Sequence, residues 1–192
     1  MKIIGIDLDD ILLNFNDAFV KFHNEKYGTS HTRKNVTDFH LENVWDISRE
    51  EMLKRLDAFY TSDHHKNAQP IEGAIEAINK LAKENELHVI TASPEDMKKE
   101  IIAWLGTHFQ GKFKNVHFVN KSIFGTSMKN KSEVCKELGI EVFVDDALHN
   151  AEDIAQLGVP VFLLDTPWNQ GEVKPPIARV HSWDEIMQRL AE

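Results

Sequence analysis

Cysteine is almost absent: Cys135 stands alone among 192 residues. That excludes an internal disulfide and a cysteine-built metal centre, and it agrees with a reducing compartment. Long apolar runs are missing too, none approaching the roughly 18 residues that a membrane span needs. The first apolar segment is cut by Asp7 and leads to no small-residue cleavage site, so the expectation is a chain without a secretory leader, resident in the cytoplasm and not in a membrane. Positive charge is scarce, with 22 Lys and Arg against 31 Asp and Glu, a net charge of -9 and a pI near 5.6. A nucleic-acid polymer is therefore a poor fit as ligand, whereas a small anion could be held by local positive charge. Repeats and low-complexity tracts are missing as well. The ten histidines, His64 and His65 among them, lack ligand spacing for zinc. What remains is an ordinary globular composition, 42% hydrophobic and 28% charged, at a length that suits one domain with an insertion.

The most informative stretch present is Lys2-Ile3-Ile4-Gly5-Ile6-Asp7-Leu8-Asp9-Asp10. An unbroken aliphatic run reads as a strand buried on both faces, because a half-exposed strand would alternate. Its abrupt end in Asp7, Asp9 and Asp10 is costly, since crowded carboxylates repel and resist desolvation unless a cation or donors compensate them.

Phe15, Phe19, Phe22 and Tyr27 then recur at helical spacing up to Gly28. From Thr29 to about Gln69 no apolar strand occurs, and Ser48-Arg49-Glu50-Glu51 opens a helix with the stripe Met52, Leu53, Leu56, Phe59 and Tyr60. Past Pro70, strand and helix patterns alternate: Leu87 to Thr91, Val116 to Val119, Val142 to Val144 and Val159 to Leu164 as strands, with helices between them. This alternation predicts an α/β fold with a parallel sheet and helices on both faces. The tail, with Pro167, Gly171, Pro175 and Pro176, reads as irregular up to a short last helix opened by Ser182-Trp183-Asp184-Glu185.

Open parallel sheets bind ligands beyond the carboxyl ends of their strands. Three predicted strands end there in polar groups: Asp7 with Asp9 and Asp10, Thr91, and Asp145 with Asp146. So many carboxylates in one pocket call for a hard cation with oxygen ligands, and magnesium fits that chemistry. A phosphorylated receiver domain and a phosphohydrolase both use such a pocket. The acidic cluster on the first strand and the insertion of about forty residues after it favour the hydrolase.

Asp7-Leu8-Asp9 after an apolar strand, Thr91, a lysine ahead of the fourth strand and Val144-Asp145-Asp146 resemble the four motifs of the haloacid dehalogenase (HAD) superfamily. Asp7 to Phe15, Ser93-Pro94, Thr166-Pro167-Trp168-Asn169 and His181-Ser182-Trp183 further resemble the 5′(3′)-deoxyribonucleotidases. The resemblance implies a three-layer α/β/α Rossmann-like core, residues 1–14 and 70–192, with a small helical cap at 15–69 inserted after the first strand and helix. It implies a magnesium-dependent phosphomonoesterase working through an aspartyl-phosphate. Asp7 would be the nucleophile and Asp9 the general acid and base, lending its backbone carbonyl to the metal. Asp146 would bind the metal directly with Asp145 behind it, and Lys131, favoured over Lys129 and Lys121, would offset negative charge.

The family's Thr-Ser-Pro has become Thr91-Ala92-Ser93-Pro94, so the phosphate contact falls to Thr91, to Ser93 or to both, with amides of Ala92-Ser93 helping. Phe15 and Trp45 are the candidate contacts to sugar and base, each with ordinary packing as the alternative. Asp10 takes the place of a small residue and receives no role. The expected partner is a small phosphorylated metabolite, a nucleoside monophosphate foremost. Another phosphate ester, or a non-catalytic metal- and nucleotide-binding module, is the rival, and a homodimer is left open.

Overall fold

The computed structural model describes residues 1–125 and 128–191. In chain order the elements are β1 (Ile3–Ile6), α1 (Phe15–Tyr27), a 3-10 turn (Arg33–Asn35), α2 (Leu41–Trp45), α3 (Arg49–Tyr60), α4 (Asp63–Lys66) and α5 (Ala74–Leu81). There follow β2 (Glu86–Pro94), α6 (Lys98–Phe109), β3 (Asn115–Asn120), α7 (Lys131–Leu138), β4 (Val142–Asp145), α8 (Leu148–Ala155), β5 (Val161–Leu164), β6 (Ile177–Val180) and α9 (Trp183–Leu190). The six strands are all parallel in the order β3-β2-β1-β4-β5-β6, so the direction of winding reverses between β1 and β4. That reversal opens a crevice at the carboxyl ends of these two strands. It is where Asp7 and Asp145 lie, and Asp7 N–H still donates to Val144 O at 2.9 Å.

The layers follow from the two-residue period of a strand. Ile4, Ile6, Leu87, Val89, Val142 and Val144 point to one face, packed with α1, α5, α6 and α9. Ile90, Phe143, Val161 and Leu163 point to the other, against Val134 and Cys135 of α7 and Ala151 and Ile154 of α8. Gly5 lies between: a side chain there would land on the Phe143 ring, so the central strand needs glycine at this position.

Helices α1 to α4 sit between β1 and β2 in sequence. Phe19 and Phe22 of α1 meet Phe59 of α3 at ring-centroid distances of 5.0 and 5.5 Å. This aromatic cluster is continuous with the apolar layer beneath the sheet, through Leu8, Ile11 and Leu12. The tail differs from the sequence expectation, because Ile177–Val180 forms an edge strand beside β5. Four residues following two prolines and interrupted by Arg179 carry too little alternation to read as a strand. Strand β2 also runs three residues past Thr91, with a break in register between Thr91 and Pro94.

Where the helical layer meets the core, His65 of α4 is 2% exposed and wedged against the rings of Phe59 and Tyr60 at 5.3 and 5.0 Å. Neither ring nitrogen has a hydrogen-bond partner, and burial pushes its pKa from 6.5 down to about 4. A histidine that binds its proton less tightly when folded loses stability as pH falls below the unfolded value, a loss complete near the folded value. Between pH 6.5 and 4 the difference amounts to about 3 kcal/mol. The expected result is that His65→Phe unfolds at higher denaturant than wild type at pH 4.5, with the gap shrinking toward pH 7. A gap independent of pH would show that His65 does not carry the effect.

Candidate active site

At the mouth of the crevice β1 leads into Asp7, Asp9 and Asp10, β2 supplies Ala92 and Ser93, β4 ends in Asp145 with Asp146 next, and α7 opens on Lys131. Lys131 is placed by a capping box in which Asn130 and Glu133 fix the first turn of α7. Its ammonium, 4% exposed, lies 2.7 Å from Asp7 Oδ1 and 2.9 Å from Asp145 Oδ2. Asp145 Oδ1 accepts from the Ala147 N–H at 2.9 Å. Oxygens of Asp7, Asp145 and Asp146 all lie within 4.8 Å of one another.

One lysine cannot balance this cluster. Burial pushes the Asp7 carboxyl up to about 8, with Lys131 pulling it down and Asp145 and Asp9 raising it further. Burial likewise raises Asp9 to about 7, eased by its hydrogen bond from Ser93, and drives Asp146 well above the carboxylate range, reinforced by Asp145 and Asp7. Lys131 is held above its ordinary value: burial would lower it, but Asp145 and Asp7 outweigh that. Asp9 Oδ1 is buried without a hydrogen-bond partner. Close carboxylate oxygens, an orphaned one beside them and a shortage of positive charge fit a divalent cation with oxygen ligands.

The carboxylates are held from behind. Ser93 Oγ donates to Asp9 Oδ2 at 2.7 Å. Trp168 Nε1 donates to Asp146 Oδ2 at 2.6 Å, and Asn169 Nδ2 donates to the Asp146 and Leu164 carbonyls, each at 2.7 Å. Asp10 is buried with φ +56°, a left-handed conformation uncommon for a residue with a side chain. Its carboxylate accepts from Asn16 Nδ2 at 2.7 Å and from Arg33 Nη2 at 3.2 Å.

These groups open on a cavity of about 390 Å³, whose lining also includes Phe15, Met52, Leu53, Leu56 and Tyr60. Arg49 and Glu42, paired at 3.0 Å, also line it. Of the residues singled out in the sequence, Asp7, Asp9, Phe15, Ala92, Ser93, Lys131 and Asp146 share this cavity. Asp145 is fully buried just behind.

Two do not join them. Thr91 is fully buried, and its hydroxyl accepts the Ser93 N–H at 2.9 Å, because the break in β2 turns Ser93 toward the crevice. Trp45 is 8% exposed and packs among Phe19, His23 and His31, so it serves as core of the helical layer, away from the cavity. Tyr60, Arg33 and Asn16 carry no sequence signal of a site. Trp168 and Asn169 do, through the Thr-Pro-Trp-Asn match, although nothing in that match says what they hold.

This sheet order and site define a hydrolase of the HAD superfamily. Its fold is shared with a HAD family hydrolase of Deinococcus radiodurans solved with bound phosphate and sodium, at TM-score 0.68 and 16% identity, over all of this chain and 95% of that one. It is shared equally with a Bacillus subtilis member, YfnB, solved bound to magnesium, at TM-score 0.67 and 15% identity over 98% of both chains. Residues 1–191 match the family described as 5′ nucleotidase, deoxy (pyrimidine), cytosolic type C protein, and the chain belongs to that family. YqfW of Bacillus subtilis, whose name provisionally assigns it as a nucleotidase, is 28% identical over 189 residues, 96% of this chain and 91% of that protein. The chain is thus a phosphohydrolase belonging to a nucleotidase family. Among its described residues no helix is long and apolar enough to cross a membrane.

Proposed function

We propose that the protein hydrolyses nucleoside monophosphates to nucleoside and phosphate through an aspartyl-phosphate, with residues 15–69 acting as a cap over a core of 1–14 and 70–192. One observation carries the choice of substrate: beside polar groups such as His40, Glu42 and Arg49, the lining of the cavity that reaches Asp7 includes an apolar and aromatic set, Phe15, Met52, Leu53, Leu56 and Tyr60. Such a set suits the flat faces of a nucleobase.

In the proposed reaction an Asp7 carboxylate oxygen attacks phosphorus while the bond to the ester oxygen breaks, and that oxygen takes the proton of the Asp9 carboxyl. Asp9 then removes a proton from water, the water oxygen attacks phosphorus, and the bond to Asp7 breaks to release phosphate. A carboxyl held near pKa 7 suits both halves, since it is readily protonated and deprotonated at neutral pH. Ser93 orients it through the 2.7 Å hydrogen bond, and the phosphate contact falls to the Ala92-Ser93 segment, which lines the cavity, and not to Thr91, which is fully buried. Lys131 supplies positive charge beside the attacking oxygen. Magnesium, held by Asp7, the Asp9 carbonyl and Asp146 with Asp145 behind, would screen the repulsion between phosphate and Asp7 and hold the transferring group in line.

The test is a panel of nucleoside 5′- and 3′-monophosphates beside sugar phosphates, with magnesium added to metal-free protein. Nucleoside monophosphates should give the highest kcat/KM. Faster turnover of sugar phosphates would overturn the substrate reading, and no metal-dependent phosphate release from any ester would overturn the activity.

A further inference from the structure

Asp10, Arg33 and Trp168 take no part in the reaction just described, yet they form one connected structure between the cap and the metal-site carboxylate. Asp10 gathers the start of α1 and the cap turn: it accepts from Asn16 N at 3.2 Å, from Asn16 Nδ2 at 2.7 Å and from Arg33 Nη2 at 3.2 Å. Its carboxylate is buried and its backbone is left-handed, so the position is built for these contacts and not for solvent. The Arg33 guanidinium then lies over the Trp168 ring, 5.2 Å from its centroid, where the cation meets the negative face of the indole. The edge of the same indole donates to Asp146 Oδ2 at 2.6 Å.

The Asp146 backbone has separate support that does not involve the cap. Arg179 donates to Asn169 Oδ1 at 2.5 Å and to the Asn169 carbonyl at 2.6 Å, and Asn169 Nδ2 donates to the Asp146 carbonyl. Backbone and side chain of Asp146 are therefore held by different groups. The backbone depends on the core alone, whereas the carboxylate depends on an indole that a cap residue covers.

We propose that Arg33 and Trp168 are positioning residues: Arg33 of the cap, docked on Asp10, presses Trp168 into the orientation that aims the Asp146 carboxylate at the divalent cation. Trp168 fixes one oxygen of Asp146 and leaves the other for the cation. The cap thereby sets metal affinity as well as enclosing substrate, and a cap displaced from Asp10 loosens the metal site. The inference rests on the metal reading given above.

Binding of Mn2+ in the absence of substrate, followed by the electron paramagnetic resonance of the free ion, tests it without any turnover. Trp168→Phe keeps an aromatic face for Arg33 and loses the indole N–H together with part of the ring, and it should weaken Mn2+ binding by about tenfold or more, as loss of an outer partner of a metal ligand does. Arg33→Met keeps the apolar stem and loses the cation, and it should weaken binding several-fold, with Arg33→Lys recovering part of the loss. A merely structural role would lower the melting temperature and leave the Mn2+ affinity of the folded protein unchanged.

Activity then gives a second readout: both variants should need more magnesium for half-maximal rate while the substrate KM at saturating magnesium stays near wild type. Wild-type Mn2+ affinity in folded Trp168→Phe overturns the proposal, and wild-type affinity in Arg33→Met removes the cap from it. Wild-type protein that binds no Mn2+ overturns the metal reading itself, and this inference with it.

Discussion

Asp7→Asn is expected to abolish turnover while raising the stability of the metal-free protein. The amide cannot attack phosphorus, and loss of a group that forms a covalent intermediate costs roughly 10^4-fold or more in kcat. The stability half follows from the same environment. A carboxyl whose pKa is raised from 3.8 to about 8 by burial binds its proton more tightly folded than unfolded, so the native state loses stability as pH climbs through that interval. At neutral pH folding without metal must therefore take up a proton at Asp7, a cost that remains with Lys131 beside it, and a neutral isostere removes it. Thermal unfolding of both proteins in chelator, beside phosphate release with magnesium, checks the two halves separately. Wild-type rates in the variant would take Asp7 out of the nucleophile role. A lower melting temperature would mean that its ion pair with Lys131 outweighs the desolvation.

The same residues mark where the sequence was legible and where it was not. Strand β1 could be read because a short β-branched run bounded by charge suits a sheet interior, and its acidic end could be read because burying charge without compensation is costly. Order along the chain then placed Asp145 and Asp146 beside it, since a parallel sheet brings carboxyl ends to one edge. The missed features are those set by a single residue of register or by contacts distant in sequence. Thr91 and Ser93 differ in direction because β2 breaks its pairing before Pro94, and no residue there announces a bulge. Trp45 in a polar segment has the composition of a stacking platform, yet a helical layer this small needs an aromatic core, and His23 and His31 complete it. Trp168 reaches Asp146 across 22 residues and an intervening helix and strand, so its motif could be noticed but not interpreted. Asp10 was opaque for the same reason, because its partner Arg33 lies 23 residues away.

Lys131→Met should damage stability and turnover together, because it removes the ammonium between two buried carboxylates. Nζ sits 2.7 Å from Asp7 and 2.9 Å from Asp145, and all three side chains are at most 7% exposed. Breaking a buried pair by deleting one partner typically costs about 3–5 kcal/mol, since the stranded charge has neither water nor counter-ion. Loss of a donor aimed at developing charge costs a further roughly 10^2- to 10^3-fold in kcat. The two effects separate in a second variant. Adding Asp145→Asn to Lys131→Met removes one stranded charge, so denaturant stability should recover in part. Activity should not recover, because the positive charge beside the attacking oxygen of Asp7 is still missing. Full recovery of turnover in the double variant would show that Lys131 acts only by neutralising Asp145, and wild-type turnover in the single variant would remove it from the reaction altogether.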